Sequence, residues 1–242
     1  VTGTADAGIK SYVSLNLVLE GASSIAEKDD DESDCRGIFV NGDLTISGDG
    51  VLSVTAGDAA EDDSYGIYVN GNLTIKSGTI NATGGTASGS SYGIYATTVM
   101  IHDGTVNATG GTAGSASDNV SCGIGGSYGV VIYGGTVNAT GGSAGDTCGI
   151  YSKDVSVTGG VTVATGGTAS GTSSGIYGIS SYGGGTVTTT GGVLVARSGS
   201  GETTKAINGT LTTNGTQIAG QVVGGTFAGS PASYDTNATA VA

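Results

Sequence analysis

The stretch Ser64-Tyr65-Gly66-Ile67-Tyr68-Val69-Asn70-Gly71-Asn72-Leu73-Thr74-Ile75-Lys76-Ser77-Gly78-Thr79-Ile80-Asn81-Ala82-Thr83-Gly84-Gly85 is one unit of the repeat that decides the fold. Apolar and polar residues alternate with period two along Leu73-Thr74-Ile75 and along Thr79-Ile80-Asn81-Ala82-Thr83, the pattern of strands buried on one face. The Gly-Ile anchor of the unit recurs at Gly37-Ile38, Gly66-Ile67, Gly93-Ile94, Gly123-Ile124, Gly149-Ile150 and Gly175-Ile176. Weaker copies at Gly8-Ile9 and Ala206-Ile207 complete a series spaced every 26 to 31 residues. Each unit reads as three short strands: the Gly-Ile segment, an alternating segment such as Val99-Met100-Ile101, and T-V-N-A-T-G-G or its relatives. So much Gly and β-branched residue cannot sustain the helices of a helical repeat, and a propeller blade needs four strands in about 40–45 residues. The expected class is therefore all-β: a right-handed parallel β-helix, or β-solenoid, of about eight coils, with neighbours about 4.8 Å apart.

Working outward, the inward positions of this repeat are Ile38, Ile67 and Ile94 in the first strand and Leu73, Ile75, Val99, Ile101, Val130 and Ile132 in the second. In the third they are Ile80, Ala82, Val106, Ala108, Val137 and Ala139. The pairs Gly84-Gly85, Gly110-Gly111, Gly141-Gly142, Gly166-Gly167 and Gly191-Gly192 follow the third strand and mark a corner where the chain turns with dihedrals that suit glycine. Residues 1–242 read as a single β-helix domain excised from a larger secreted or surface protein.

The composition fits an ordered solenoid. Glycine numbers 49 and recurs at fixed places, while 37% of residues are hydrophobic, more than acidic disordered chains carry. Twenty Asp and Glu against seven Lys and Arg give a net charge of −13, which argues against a nucleic-acid partner. No apolar run reaches the roughly 18 residues of a membrane span, so no membrane insertion is expected. The oligomeric state is not legible.

Equivalent positions of successive coils stack into columns, so residue types repeated once per coil become stripes. Phe39, Tyr68, Tyr95, Tyr151 and Tyr177 each follow the inward Ile and are expected to point outward as an aromatic stripe interrupted at Gly125, with Tyr65 and Tyr92 as a companion stack. Such rings either stack on sugar faces or stabilise the ladder. A polar stripe repeats Thr79, Asn81 and Thr83 as Thr105, Asn107 and Thr109, as Thr136, Asn138 and Thr140, and in part as Thr186, Thr188 and Thr190. One coil breaks it, with Val161 and Val163 outward and Thr162 inward unless the register slips. This array either orders water or sugar hydroxyls or consists of good outward strand residues.

A third group is acidic. Asp29, Asp30, Asp31, Glu32 and Asp34 precede one anchor and Asp58, Glu61, Asp62 and Asp63 the next, so stacking brings two acidic loops together. Calcium, which prefers oxygen ligands, would relieve their repulsion; Asp29, Asp30, Asp31, Asp34, Asp58, Asp62 and Asp63 are the candidate ligands. Solvated acidic loops are the alternative. Cys122 and Cys148 precede the anchors of neighbouring coils, close enough for a disulfide or for a pair of stacked thiols, and Cys35 lies one position off their column. The N-x-T triplets at Asn72, Asn81, Asn107, Asn138, Asn208, Asn214 and Asn237 arise mostly from the repeat itself.

Catalysis is not expected. β-Helical pectate lyases pair calcium-binding carboxylates with an Arg or Lys base, yet here Arg36 and Arg197 are the only arginines and the five lysines form no column. The single histidine, His102, reads as a solvent-facing residue with no nucleophile beside it.

The phrases V-S-L-N-L-V-L-E-G-A-S-S-I from Val13, V-N-G-D-L-T-I-S-G-D-G-V-L-S-V-T-A-G-D from Val40 and V-N-G-N-L-T-I-K-S-G-T-I-N-A-T-G-G from Val69 resemble the calcium-dependent carbohydrate-binding parallel β-helix proteins of Gram-positive bacterial cell surfaces. The resemblance covers most of residues 13 to 192. It implies an extracellular, secreted or wall-attached module that binds acidic or cellulosic plant polysaccharide with calcium's help, so the expected partner is a polysaccharide or cell-surface glycan. The leading expectation is thus a non-catalytic carbohydrate-binding or adhesin module, with Tyr68, Tyr95, Tyr151 and Tyr177 as contact face. An ice-binding face made by the T-x-N-x-T array and a purely structural stalk are the alternatives.

Overall fold

The computed structural model describes residues 7–27, 34–116, 118–169, 175–200 and 203–213, with the backbone of the strands Gln217–Ala219, Thr226–Ala228 and Tyr234–Asp235. Among them every regular element is a strand, no helix occurs, and every strand pairing is parallel. The chain winds as a parallel β-solenoid, as the repeat requires. Third strands stack into a nine-stranded sheet that includes Val51–Thr55, Thr79–Thr83, Thr105–Thr109, Thr136–Thr140, Val161–Thr165 and Val193–Arg197. First and second strands share a thirteen-stranded sheet.

Two features of the expected coil change. In the central coils the first two strands run together as one long strand, as in Ser64–Ile75 and Ser91–Ile101. About six turns, from Cys35 to Arg197, are complete, against the eight expected. The difference lies at the ends, where a coil has a neighbour on one side only; most side chains of the first coil's Ala22–Ala26 are exposed for that reason.

The core is the axial stack of inward residues. All fifteen positions assigned inward from the alternation are buried, at 1% exposure or less. Each fully buried Ile, Leu or Val contributes about 1.5–3 kcal/mol by leaving water. Thr162 is also inward, pairing with Val137 and Leu194, while Val161 and Val163 face out, so the register does not slip in that coil.

Glycine acts at two corners in different ways. Positive φ of 71° to 92° occurs at Gly78, Gly104, Gly135, Gly160 and Gly192, just before the third strand rather than after it. The pairs after the third strand have ordinary φ, and there the missing Cβ matters: on Gly111 it would lie 2.5 Å from the Gly84 carbonyl oxygen one coil below. Gly191-Gly192 belongs to the first of these corners, beside Gly159 and Gly160, and not to the second as expected.

The last complete coil corrects two assignments. Ile150 pairs with Ile179, and Tyr151 with Ser180, so the anchor of that coil is Gly178-Ile179 and not Gly175-Ile176. Two Gly-Ile pairs three residues apart compete locally, and packing chooses. A Cβ on Gly178 would sit 2.6 Å from both the Arg197 nitrogen and the Ala206 oxygen, just as one on Gly149 would sit 2.5 Å from the Thr165 nitrogen. Only glycine fits that position. Second, Thr186–Thr189 pairs with Val155–Val157 as a second strand, so Thr186, Thr188 and Thr190 leave the polar stripe.

Candidate functional site

The polar stripe is held in register. Thr79, Thr105 and Thr136 form one column, Asn81, Asn107 and Asn138 the next, and Thr83, Thr109 and Thr140 the third. The asparagine column is a hydrogen-bonded ladder: the Asn138 amide donates to the Asn107 oxygen at 2.8 Å, and Asn107 to Asn81 at 2.8 Å. Its amides are thereby engaged with each other, while Thr83, Thr109 and Thr140 are exposed. From Val51–Thr55 to Val161–Thr165 no outward position carries a titratable group. Beside this face an open groove of about 650 Å³ runs along the glycine pairs and is flanked by Thr140 and Thr165.

The aromatic stripe is partly as expected. Phe39, Tyr68, Tyr95, Gly125 and Tyr151 share a column. Tyr177 does not: it pairs with Cys148 and joins the column of Arg36, Tyr65, Tyr92 and Cys122. The shift of the Gly178 anchor is the cause. Phe39, Tyr68 and Tyr95 stack on one another with centroids 5.8 Å apart, so their faces meet neighbouring rings and mainly their edges meet solvent. Rings of Tyr92 and Tyr95 lean over Gly125, where a Cβ would lie 2.5 Å from Tyr95. Beneath them Cys122 and Cys148 form a disulfide with Cα atoms 4.8 Å apart, buried in the same cluster.

This burial raises phenol pKa values. Tyr65, 7% exposed, is pushed far above the ordinary range by desolvation first and then by Asp63, to which its hydroxyl donates at 2.7 Å. Tyr92, 6% exposed, is raised mainly by burial, with Tyr95 adding. Tyr68, Tyr151, Tyr177 and Tyr182 are raised for the same leading reason.

Among the proposed metal ligands, Asp29, Asp30 and Asp31 lie outside the described residues. Asp34, Asp62 and Asp63 come together, each offering an oxygen within 4.8 Å of the others. Internal partners engage much of this cluster. Asp34 forms an ion pair with Arg36 and accepts from the Asp63 amide; Asp63 accepts from the Ser90 amide and the Tyr65 hydroxyl. Arg36 in turn lies over the rings of Phe39 and Tyr68, 5.1 Å from each centroid. Calcium takes about six to eight oxygens, so it would compete with Arg36 for Asp34. Asp58 is elsewhere, accepting from the Thr86 amide at 2.6 Å. The same staple, an aspartate capping an amide of the next coil, recurs from Asp43 to Asn72, Asp146 to Gly175 and Asp154 to Thr186.

The alternation did not reveal the buried hydroxyl column Ser64, Ser91, Ser121 and Thr147, all at 0% exposure. Ser91 donates to the Gly85 carbonyl at 2.8 Å and accepts from the Gly111 amide at 2.9 Å, and Ser121 repeats this one coil on, so each hydroxyl joins two corners. Its signal was present as a Ser or Thr two residues before four successive anchor glycines, Gly66, Gly93, Gly123 and Gly149. Tyr182, also missed, stacks on Tyr151, and Tyr128, also missed, is an exposed ring. His102 is exposed and stacks on Tyr133 with centroids 4.6 Å apart. Among the described residues no helix is long and apolar enough to cross a membrane.

Fold and surface together define a β-solenoid that displays regular side-chain columns on an acidic body. Compared with protein-family models, curated proteins and solved structures, the chain matches none of them.

Proposed function

We propose that this chain is a non-catalytic, extracellular carbohydrate-binding or adhesin module that takes an uncharged, hydroxyl-rich polymer on its Thr/Asn face. The observation that carries this reading is the in-register threonine columns either side of a self-bonded asparagine ladder, free of titratable groups. Such a face offers hydroxyls at the period of the coils and no general acid or base. A net charge of −13 favours neutral over anionic polysaccharides. The buried disulfide supports an oxidising, extracellular setting. A calcium ion at Asp34, Asp62 and Asp63 would act on the stability of the solenoid and not on this face.

Affinity electrophoresis through gels containing xylan, mixed-linkage β-glucan or hydroxyethyl cellulose tests the proposal. Retardation of the wild type is expected, weakened by Thr109→Lys and Thr140→Lys. Equal retardation of these variants overturns the face, and no retardation by any of the three polymers overturns the function. Ice binding is the second reading, favoured by the same ladder because it fixes the column spacing. Thermal hysteresis by the wild type, without glycan retardation, would select it; neither activity would leave a structural stalk.

A further inference from the structure

The chain beside one exposed ring is held in place by side chains from two other coils. In the strand Val120–Ile132 the register against both neighbouring strands shifts between Gly126 and Gly129, which marks a bulge. Between the inward Gly126 and Val130 this coil spans three residues, Ser127, Tyr128 and Gly129. The coils on either side make the same join with two, Thr97-Thr98 and Lys153-Asp154. The same three-residue join occurs as Asn41-Gly42-Asp43 and Asn70-Gly71-Asn72 in earlier coils, with glycine in the middle. Here the middle residue is Tyr128, 67% exposed at the tip.

This join is clamped on both sides. The Tyr95 and Ser127 hydroxyls share a hydrogen bond at 2.9 Å, and the Tyr182 hydroxyl donates to the Ser127 carbonyl from 55 residues along the chain. Tyr182 is itself braced, its ring stacked on Tyr151 with centroids 4.9 Å apart. Bulges commonly re-aim a side chain next to a functional site, and a backbone held before binding loses little freedom when a ligand arrives.

We propose that Tyr128 is a sugar-stacking subsite, separate from the Thr/Asn face and resting on the carbohydrate-binding reading. Its ring takes the C–H face of a neutral pyranose. The phenols of Tyr128 and Tyr182 keep the rim polar, and Tyr95 and Tyr182 are positioning residues for the bulge. A sugar fits this chemistry because it joins an apolar ring face to a hydroxyl edge.

The test uses the full chain and the gels with xylan and mixed-linkage β-glucan. Tyr128→Ala is expected to weaken retardation about tenfold in Kd, with an unchanged melting temperature because the ring is exposed. Tyr128→Phe should bind like the wild type, and Tyr182→Phe, which releases the bulge and keeps the platform, should lose a few-fold. If Tyr128→Ala binds normally while Thr109→Lys does not, the subsite is overturned and the carbohydrate reading stands. If Tyr128→Phe loses as much as Tyr128→Ala, the contact is a hydrogen bond and stacking is overturned. A wild type retarded only by hydroxyethyl cellulose overturns the subsite and leaves the carbohydrate reading standing, and one retarded by none of the three polymers overturns both proposals.

Discussion

Raising the pH should unfold this protein through two tyrosines. Tyr65 and Tyr92 are almost fully buried and their phenols are held neutral well above the ordinary range. In the unfolded chain each ionises at its usual value of about 10. The folded-state values are the higher ones, so the stability they contribute is complete below about pH 10 and is lost as pH rises beyond it. At about pH 11 an unfolded phenol gains roughly 1.4 kcal/mol by ionising, a gain denied to the buried one, and the pair together costs roughly 2.8 kcal/mol. The half-exposed Tyr68, Tyr151 and Tyr177 add smaller amounts of the same sign. Urea unfolding at about pH 9, 10 and 11 measures the loss, and phenolate absorbance of the folded protein should show a class that fails to titrate. A free energy of unfolding that stays level to about pH 11, or a single class of tyrosines titrating together near 10, would refute the argument.

Three further outcomes are expected. Ser91→Ala removes the partner of the Gly85 carbonyl and the Gly111 amide in a partly buried corner and should cost about 1–3 kcal/mol in chemical denaturation. Gly178→Ala drives a Cβ against the backbone at Arg197 and Ala206 and should cost about 3 kcal/mol or more, whereas Gly175→Ala first meets the Tyr177 ring, which can swing aside, and should cost less. Similar losses for both glycines would restore the earlier anchor. Arg36→Gln removes the internal cation beside Asp34, Asp62 and Asp63, so its melting temperature should fall in chelator and recover in millimolar calcium by more than the wild type's does. Equal calcium responses would show that Arg36 and the ion do not compete.

Much of this was legible because β alternation is a strong code. Every residue assigned to the core from period two is buried, and the Thr and Asn columns align as the repeat dictates. The failures share one physical origin: they depend on contacts a full coil away. Gly175-Ile176 and Gly178-Ile179 are equivalent locally and are separated only by backbone arriving from Arg197 and Ala206. Thr186–Thr189 carries the polarity of a third strand, but the turn at Tyr182-Gly183-Gly184-Gly185 places it against Val155–Val157. Clustered aspartates read as a cation cage, while most of those described cap amides 27 to 32 residues further on. Serine ordinarily faces water, so a buried column of it is hidden from a pattern of apolar and polar letters.

The Cys122–Cys148 bond closes a loop of one coil, a sequence separation of 26, near the middle of the stack. A solenoid of nearest-neighbour contacts frays from its ends, peeling one coil at a time. Unzipping from either end therefore meets a covalent stop at the same two coils. A protease digesting the frayed ends should leave a resistant kernel around residues 120–157, and adding a reductant after partial digestion should let that kernel go.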